Sequence, residues 1–273
     1  MPFDRRLAVA LVVAVATIGC GEDAAIDRGA SGPVTLDLEP SAVLVSEESA
    51  LIAEAVDIEV DDRGNVLVVD YRTPQVLIVP PDGGEPTVVG RGGEGPGEFR
   101  FPRAIGGAGG IVYVFDVSRG NVQPVLRNEA IPMLAANGDV WVFQQTEAVL
   151  ERFDLEGARL ASTQLELPEQ PAILASFEER NANLGPGTTF PLRYVADAKA
   201  VGDTAWLSWN LPLGEPGVIT VHGPDGRMRH RLQFPSIRTT SRFAVDPERS
   251  RLYLYGNDES SIVVIDLPEG VVS

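Results

Sequence analysis

The sequence has very few of the side chains that form disulfides, hold metals or bind nucleic acids. Its 273 residues include one cysteine, two histidines and a single lysine, Lys199. The lone cysteine excludes an intramolecular disulfide. A formal charge of −17 argues against nucleic acid as a partner, because clustered Lys and Arg side chains bind the phosphate backbone. No catalytic motif such as GxSxG is present, and we predict no catalytic residues.

Long apolar runs are also missing, except for one at the N-terminus. Residues 7–19 form an uninterrupted run of small and apolar residues, preceded by Arg5 and Arg6. A basic start followed by about 7–15 apolar residues is typical of a secretory signal peptide. The run is shorter than the about 20 residues that a membrane-spanning helix needs. The sequence therefore predicts export without a transmembrane helix.

The single cysteine, Cys20, stands directly after the apolar run. Residues 17–20 (Thr-Ile-Gly-Cys) resemble the bacterial lipobox, in which the cysteine is diacylated. We therefore predict a lipoprotein signal peptide over residues 1–20, lipid attachment at Cys20, and a bacterial envelope location at the outer membrane or cell surface, with a periplasm-facing position as the alternative. The other interpretation is an ordinary signal peptide that leaves a free thiol. Residues 21–32 contain many small or acidic residues and few large apolar ones, and they predict a flexible tether.

The rest of the chain, residues 33–273, consists of imperfect repeats of short apolar runs. Residues 55–90 contain four such runs, separated by the turn-forming segments 62–65, 72–74 and 81–84. β-Branched runs between Gly, Asp, Asn and Pro clusters indicate antiparallel strands joined by hairpins. Four strands in about 35–45 residues correspond to one blade of a β-propeller. We predict an all-β fold, a β-propeller of four-stranded antiparallel blades.

The same rhythm recurs in four later segments, so five blades are recognisable. They cover residues 102–125, 131–167, 192–234 and 243–272. The last blade ends just after its third strand. Residues 34–38 have the alternation of a strand, and we predict that this N-terminal strand completes the last blade and closes the ring.

The connection between the first two blades resembles the inter-blade signature of NHL-repeat propellers. Residues 90–99 (GRGGEGPGEF) are followed by Pro102, by residues 111–114 and by Asp116, and residues 63–70 repeat the second half. The chain also resembles the six-bladed propeller lipoproteins of bacterial envelopes, which implies one truncated or missing blade here. The resemblance further implies that Asp70 and Asp116 tie down turns.

Two features of the sequence resemble cofactor sites, a glycine-rich segment and a set of asparagines, and neither is sufficient to assign a cofactor. Gly90, Gly92 and Gly95 fit GxGxxG, but Pro96 breaks the helix that a dinucleotide site needs. Calcium is the open alternative, because propeller lactonases of the gluconolactonase type hold it with Asn, Asp and Glu side chains. Here the asparagines near turns are Asn65, Asn121, Asn137, Asn210 and Asn257. We otherwise expect no metal and no cofactor.

The leading functional hypothesis is a monomeric, membrane-anchored propeller that acts as a non-catalytic binding or scaffold module for an envelope protein, peptide or glycan. The alternative is a calcium-dependent lactonase or hydrolase with its site at the propeller channel. An insertion at residues 172–190 is the candidate partner contact, because long loops in compact folds are often functional. The candidate binding residues are Glu178, Arg180, Asn183 and Trp209. Trp206 and Trp209 are three apart, so they should point to opposite faces of a strand.

Overall fold

The computed structural model divides the chain into two units, Met1–Ser31 and Gly32–Ser273. It describes residues 32–93, 98–108, 111–116, 130–145, 147–184, 192–238, 240–256 and 261–272. The predicted signal peptide, Cys20 and almost all of the tether lie outside the described residues. Within the described ranges, no helix has the length and apolar character that a membrane crossing requires.

In its described residues, the second unit is built of short strands with one α-helix. In chain order the elements are β1 (Val34–Asp37), β2 (Ala42–Val45), β3 (Ala55–Val60), β4 (Val66–Asp70), β5 (Gln75–Val79), β6 (Thr87–Val89), β7 (Pro102–Ala108), β8 (Ile111–Asp116), β9 (Ala130–Leu134), β10 (Val140–Gln144), β11 (Val149–Phe153), β12 (Arg159–Gln164), α1 (Gln170–Ala182), β13 (Val195–Val201), β14 (Thr204–Trp209), β15 (Pro216–His222), β16 (Met228–Arg238), β17 (Thr240–Asp246), β18 (Arg251–Gly256) and β19 (Ser261–Asp266). A short 3-10 helix, Glu47–Ser49, follows β2.

The strands form five sheets, one for each predicted blade, and the predicted β-propeller fold is confirmed. Strands β3 to β6, β9 to β12 and β13 to β16 are antiparallel meanders in which chain neighbours pair. The second blade shows β7 and β8, and its predicted third strand at residues 122–125 lies outside the described residues. The first strands of the blades meet around one axis: β3 contacts β7 and β17, and β13 contacts β9 and β17.

Glycines at positive φ form the hairpins between the third and fourth strands. Gly83, Gly157 and Gly226 have φ values of 75°, 84° and 77°. This backbone region is open to glycine without a steric penalty, whereas other residues rarely adopt it. The recurring hairpin glycine therefore predicts the blade rhythm correctly.

The strand that closes the ring is not the predicted one. Residues 34–37 form β1, which pairs in parallel with β16 at the outer edge of the fourth blade. The fifth blade is completed instead by β2, which pairs antiparallel with β19. Closure by an N-terminal strand is thus correct, but the strand that closes the ring is the next one along the chain.

The core lies between neighbouring blades, so both faces of a middle strand are buried. Trp206 and Trp209 on β14 are both inaccessible to solvent. Trp206 packs with Phe243 and Leu252 of the fifth blade. Trp209 packs with residues of the third blade, among them Phe143. The two rings therefore point to opposite faces, as their spacing predicts.

The predicted insertion at residues 172–190 begins as a helix rather than a loop. Helix α1 has Pro171 in its first turn, and Ala, Leu and Glu, which favour helices, follow. Only Ile173 of the helix is buried. The residue before the helix, Glu169, pairs with Arg231 on β16 and fixes the start of α1 to the fourth blade. Residues 185–191 lie outside the described residues.

Candidate binding site at the axis

Two aspartates at strand ends are occupied by backbone hydrogen bonds. Asp70 is fully buried and accepts the N–H groups of Ala53, Glu54, Arg72 and Thr73. Asp116 accepts the N–H groups of Arg100 and Phe101, both at 2.8 Å. Both carboxylates tie down the chain between blades, which is the structural role that the NHL resemblance implies.

The first strands of four blades share an irregularity that places side chains at the axis. The pairing register shifts after the first residue of β3, β7, β13 and β17. Such a β-bulge re-aims the neighbouring side chain. The equivalent positions after the shift are Asp57, Ala104, Asp197 and Arg242.

Each of the two aspartates at this position connects its own blade to the next one. Asp57 Oδ2 accepts the N–H of Ile105 on β7 at 2.9 Å. Asp197 Oδ2 accepts the N–H of Phe243 on β17 at 3.1 Å. The same side-chain chemistry therefore joins the first blade to the second and the fourth to the fifth.

Charged side chains from three of these strands converge at the axis. Lys199 Nζ on β13 donates to Asp57 Oδ1 at 2.8 Å and to Glu59 Oε1 at 2.5 Å, both on β3. Arg242 on β17 lies between these strands and donates to the carbonyl oxygens of Val56 and Ala196, both at 2.6 Å. We call Asp57, Glu59, Asp197, Lys199 and Arg242 the axial cluster.

Burial and mutual attraction shift the proton affinities within the axial cluster. Burial raises the pKa of Glu59 and of Asp197, and the nearby Lys199 counteracts the shift in both. Burial would lower the pKa of Lys199, but the attraction of the three carboxylates is stronger and raises it. Lys199 is therefore a protonated ammonium at neutral pH and not a nucleophile.

A cavity of about 440 Å³ opens at one end of the axial cluster. Glu59 and Lys199 form its charged wall, and its apolar lining includes Met133, Leu134 and Val245. The volume falls within the about 300–1,000 Å³ that is usual for ligand pockets. The lining residues come from β3, β9, β13 and the β17–β18 turn, so this axial cavity lies where the first strands of four blades end.

A larger groove lies at the outside of the ring and is a weaker candidate. It has a volume of about 710 Å³ and runs between β2 and the β5–β6 turn. Its two arginines are already engaged: Arg249 pairs with Asp246 at 2.9 Å, and Arg251 with Asp266 at 3.3 Å.

The residues suggested as calcium ligands do not converge in the described part of the chain. Asn65 and Asn137 bond to aspartates in their own turns, and Asn210 donates to the carbonyl of Arg193. Asn121 and Asn257 lie outside the described residues. Over the described ranges, no group of three or more His, Cys, Asp or Glu side chains is arranged to hold a metal ion. At the axis, the cation between the carboxylates is the ammonium of Lys199.

Comparison with known proteins gives only a distant likeness. No protein-family model matches the chain, and no curated protein is similar in sequence. Similar solved structures include the glutaminyl cyclase of Myxococcus xanthus, at 10% identity over 87% of this chain and 100% of that chain, with a TM-score of 0.46. Regucalcin of Agrobacterium tumefaciens, described as a calcium-binding protein, matches at 12% identity over 86% and 97%, with a TM-score of 0.42.

Two further matches have lower scores. A gluconolactonase of Xanthomonas campestris matches at 12% identity over 83% of this chain and 89% of that chain, with a TM-score of 0.40. The chain covers 58% of a longer match, a chain of the mitotic checkpoint complex, at 12% identity and a TM-score of 0.32. The propeller assignment therefore depends on the strand pairing described above.

The residues predicted to contact a partner are separated by the fold. Glu178 and Arg180 are exposed on α1, and Asn183 caps the helix end. Trp209 is instead fully buried, where its Nε1 donates to Thr220 Oγ1 at 3.0 Å. Trp209 is therefore not available to a partner, contrary to its choice as a candidate binding residue, because β14 is packed on both faces.

Helix α1 and the axial cavity also lie on opposite faces of the ring. The helix connects the end of β12 to the start of β13. The cavity lies at the other end of β13, near Lys199 and Val201.

The sequence alone did not identify the axial cluster. A usable signal was present, because Asp57 and Glu59 on β3 and Asp197 and Lys199 on β13 occupy equivalent positions in otherwise apolar strands.

Proposed function

We propose that this protein is a lipid-tethered, non-catalytic binding module of the bacterial envelope, a propeller of the NHL-repeat type that binds a peptide segment of an envelope protein. The observation that carries the proposal is the axial cavity, which combines a charged wall at Glu59 and Lys199 with an apolar rim. Its lining exposes polar and apolar surface in comparable amounts, and its volume is that of a typical ligand site.

The chemistry of the axial cavity supports binding rather than catalysis. Lys199 is held protonated, and Glu59 is engaged by it through one oxygen. His222 is remote from the cavity and buried in the fourth blade, with both ring nitrogens in hydrogen bonds. A nucleophile with an adjacent general base is therefore missing from the described lining of the cavity.

A peptide suits the cavity better than a glycan. The described lining is aliphatic apart from Glu59 and Lys199, and it includes no aromatic ring on which a sugar could stack. Trp209, the aromatic residue among the candidate binding residues, is in the core. Aliphatic walls and one charged pair are complementary to an amino-acid side chain.

The competing function, a calcium-dependent lactonase or hydrolase, has no such support at the axis. The ammonium of Lys199 would repel a divalent cation between Asp57, Glu59 and Asp197 unless the cation displaced it. Metal analysis of the purified protein tests this alternative. One tightly held calcium per chain, together with lactone hydrolysis, would favour the hydrolase and contradict the binding function.

Peptide selection with matched variants tests the proposed function. Leu134 lines the cavity and is 71% exposed, whereas Leu155 is 73% exposed and is not part of the lining. Random dodecapeptides displayed on phage are selected on the full chain in detergent. We expect peptides whose affinity falls about tenfold or more in Leu134→Ser, because the apolar contact is lost without any change of charge. The same peptides should bind Leu155→Ser unchanged. Selection that never yields Leu134-dependent peptides would refute the axial binding site.

The lipid tether has its own test. The wild-type chain should partition into the detergent-rich phase after phase separation, and Cys20→Ser should move to the aqueous phase, because the acylated thiol is lost. Metabolic labelling with an alkyne fatty acid should mark the wild type only. Equal partitioning and labelling of both proteins would show that Cys20 carries no lipid.

A further inference from the structure

We infer that the group bound in the axial cavity is a positively charged side chain of the peptide, held by the second carboxylate oxygen of Glu59. This inference rests on the proposed binding function and specifies its ligand. It follows from three properties of the cavity: the charge balance, the free hydrogen-bonding capacity and the apolar rim.

The charge balance of the axial cluster favours a cation. Three carboxylates, on Asp57, Glu59 and Asp197, face the two cations Lys199 and Arg242, so one negative charge is in excess. The whole chain carries a formal charge of −17. Complementary charge steers association and selects the partner. An anionic group in the cavity would gain little attraction from Lys199, because the carboxylates already balance the charge of its ammonium.

The hydrogen-bonding capacity of the cluster identifies Glu59 as the contact. Asp57 uses Oδ1 for Lys199 and for the N–H of Ile58, and it uses Oδ2 for Ile105. Asp197 uses Oδ1 for the N–H of Ala198 and Oδ2 for Phe243. Toward the described part of the chain, Glu59 uses only Oε1, for Lys199.

Exposure supports the same assignment. The side chain of Glu59 is 32% exposed, compared with 14% for both Asp57 and Lys199. Glu59 Oε2 is therefore the carboxylate oxygen of the cluster that combines access from the cavity with a free acceptor position. The pKa of Glu59 is raised by burial, and a second cation beside it would favour its charged form.

The rim of the cavity suits the stem of a basic side chain. Met133, Leu134 and Val245 line the cavity around the charged wall. Lys and Arg side chains bury their methylene groups against such surfaces while the charged end makes polar contacts. A basic side chain satisfies both the rim and Glu59, whereas an aliphatic side chain leaves Glu59 Oε2 without a donor.

Three blocked amino acids of similar size test this inference. N-acetylarginine amide, N-acetylnorleucine amide and N-acetylglutamate amide are titrated into the full chain in detergent and followed by NMR. We expect the arginine probe to bind about tenfold or more tightly than the norleucine probe, the difference that a hydrogen bond to a charged group supplies. In Glu59→Gln this preference should disappear, because the affinity for the arginine probe falls to that for the norleucine probe. The exposed Glu156→Gln is the matched control and should keep the preference.

The outcomes separate this inference from the proposed function. Equal affinity for arginine and norleucine, tightest binding of glutamate, no detectable binding of arginine, or a preference that persists in Glu59→Gln would each overturn the inference. The proposed binding site in the cavity would still be supported if norleucine or the selected peptides lose affinity in Leu134→Ser. Binding that ignores Leu134 would overturn both. If Glu59→Gln does not fold, Glu59→Asp keeps the charge but withdraws it from the cavity, and it should weaken the preference for arginine.

Discussion

At the scale of single residues, the buried hydrogen-bond chain around His222 fits a neutral imidazole. His222 Nδ1 lies 3.1 Å from the carbonyl oxygen of Gly226, which only accepts, so Nδ1 carries the proton. Thr220 Oγ1 accepts from Trp209 Nε1 and lies 2.9 Å from His222 Nε2. With the imidazole neutral and its proton on Nδ1, Nε2 is an acceptor, and the threonine hydroxyl donates to it. Protonation of Nε2 would reverse this bond.

This network predicts that acid destabilises the fold through His222. Burial lowers the pKa of His222 to about 4, whereas the unfolded chain has the ordinary value of about 6.5. Below pH 6.5 the unfolded chain binds the proton first, so stability falls as the pH drops from about 6.5 to about 4 and the loss then levels off. The expected loss from this residue is about 3 kcal/mol.

Urea unfolding at pH 7 and pH 4 measures this contribution. His222→Gln does not titrate, so its free energy of unfolding should fall less than that of the wild type over the same interval. The difference between the two proteins isolates the histidine from Glu59 and Asp197, whose raised pKa values act in the opposite direction as the pH falls. Parallel pH dependences for the two proteins would contradict the prediction.

At the scale of elements, the two N-terminal strands show what a sequence pattern leaves open. Both β1 and β2 are short and apolar enough to be strands, and pattern alone does not say which sheet edge each one meets. The two strands differ in how deeply their side chains are buried. Val45 at the end of β2 is 4% exposed and packs with Ile58 and Tyr255 between the first and fifth blades. In β1, by contrast, no residue is buried.

A matched pair of substitutions in β2 tests its role as the closing strand. Val45→Asp should lower the free energy of unfolding by about 3 kcal/mol or more, because a carboxylate then lies in an apolar core. Val43→Asp changes the same residue type in the same strand at a side chain that is 58% exposed, and it should cost about 0.5 kcal/mol or less. Equal effects in urea denaturation would show that β2 does not close the ring.

At the scale of the whole molecule, the blades follow from local sequence and the axial cluster does not. Turn residues and apolar runs lie within a few residues of one another, so they predict strands, hairpins and blade number. Glu59 and Lys199 are separated by 140 residues and meet only because the ring brings β3 and β13 together. Trp209 was wrongly chosen as a candidate binding residue for a similar reason. Strand alternation predicts that Trp206 and Trp209 point to opposite faces of β14, but not that neighbouring blades cover both faces.

The axial cluster predicts a large effect for a single substitution at the centre of the ring. Lys199→Met keeps the approximate length of the side chain but removes the cation shared by Asp57 and Glu59. The expected loss is about 3–5 kcal/mol, because breaking a buried ion pair leaves its partners uncompensated. Arg227→Met is the control: its side chain is 78% exposed and 4.0 Å from Asp225, so the change should stay within about 1 kcal/mol.

The double variant identifies the cause of that loss. Adding Glu59→Gln to Lys199→Met removes one of the uncompensated carboxylates, so it should recover part of the lost stability, whereas Glu59→Gln alone should destabilise the protein. Thermal or urea unfolding of the four proteins gives the coupling between the two residues. If the two substitutions were simply additive, the ion pair between Lys199 and Glu59 would contribute no net coupling energy. The loss in Lys199→Met would then come from its other contacts, above all the ion pair with Asp57.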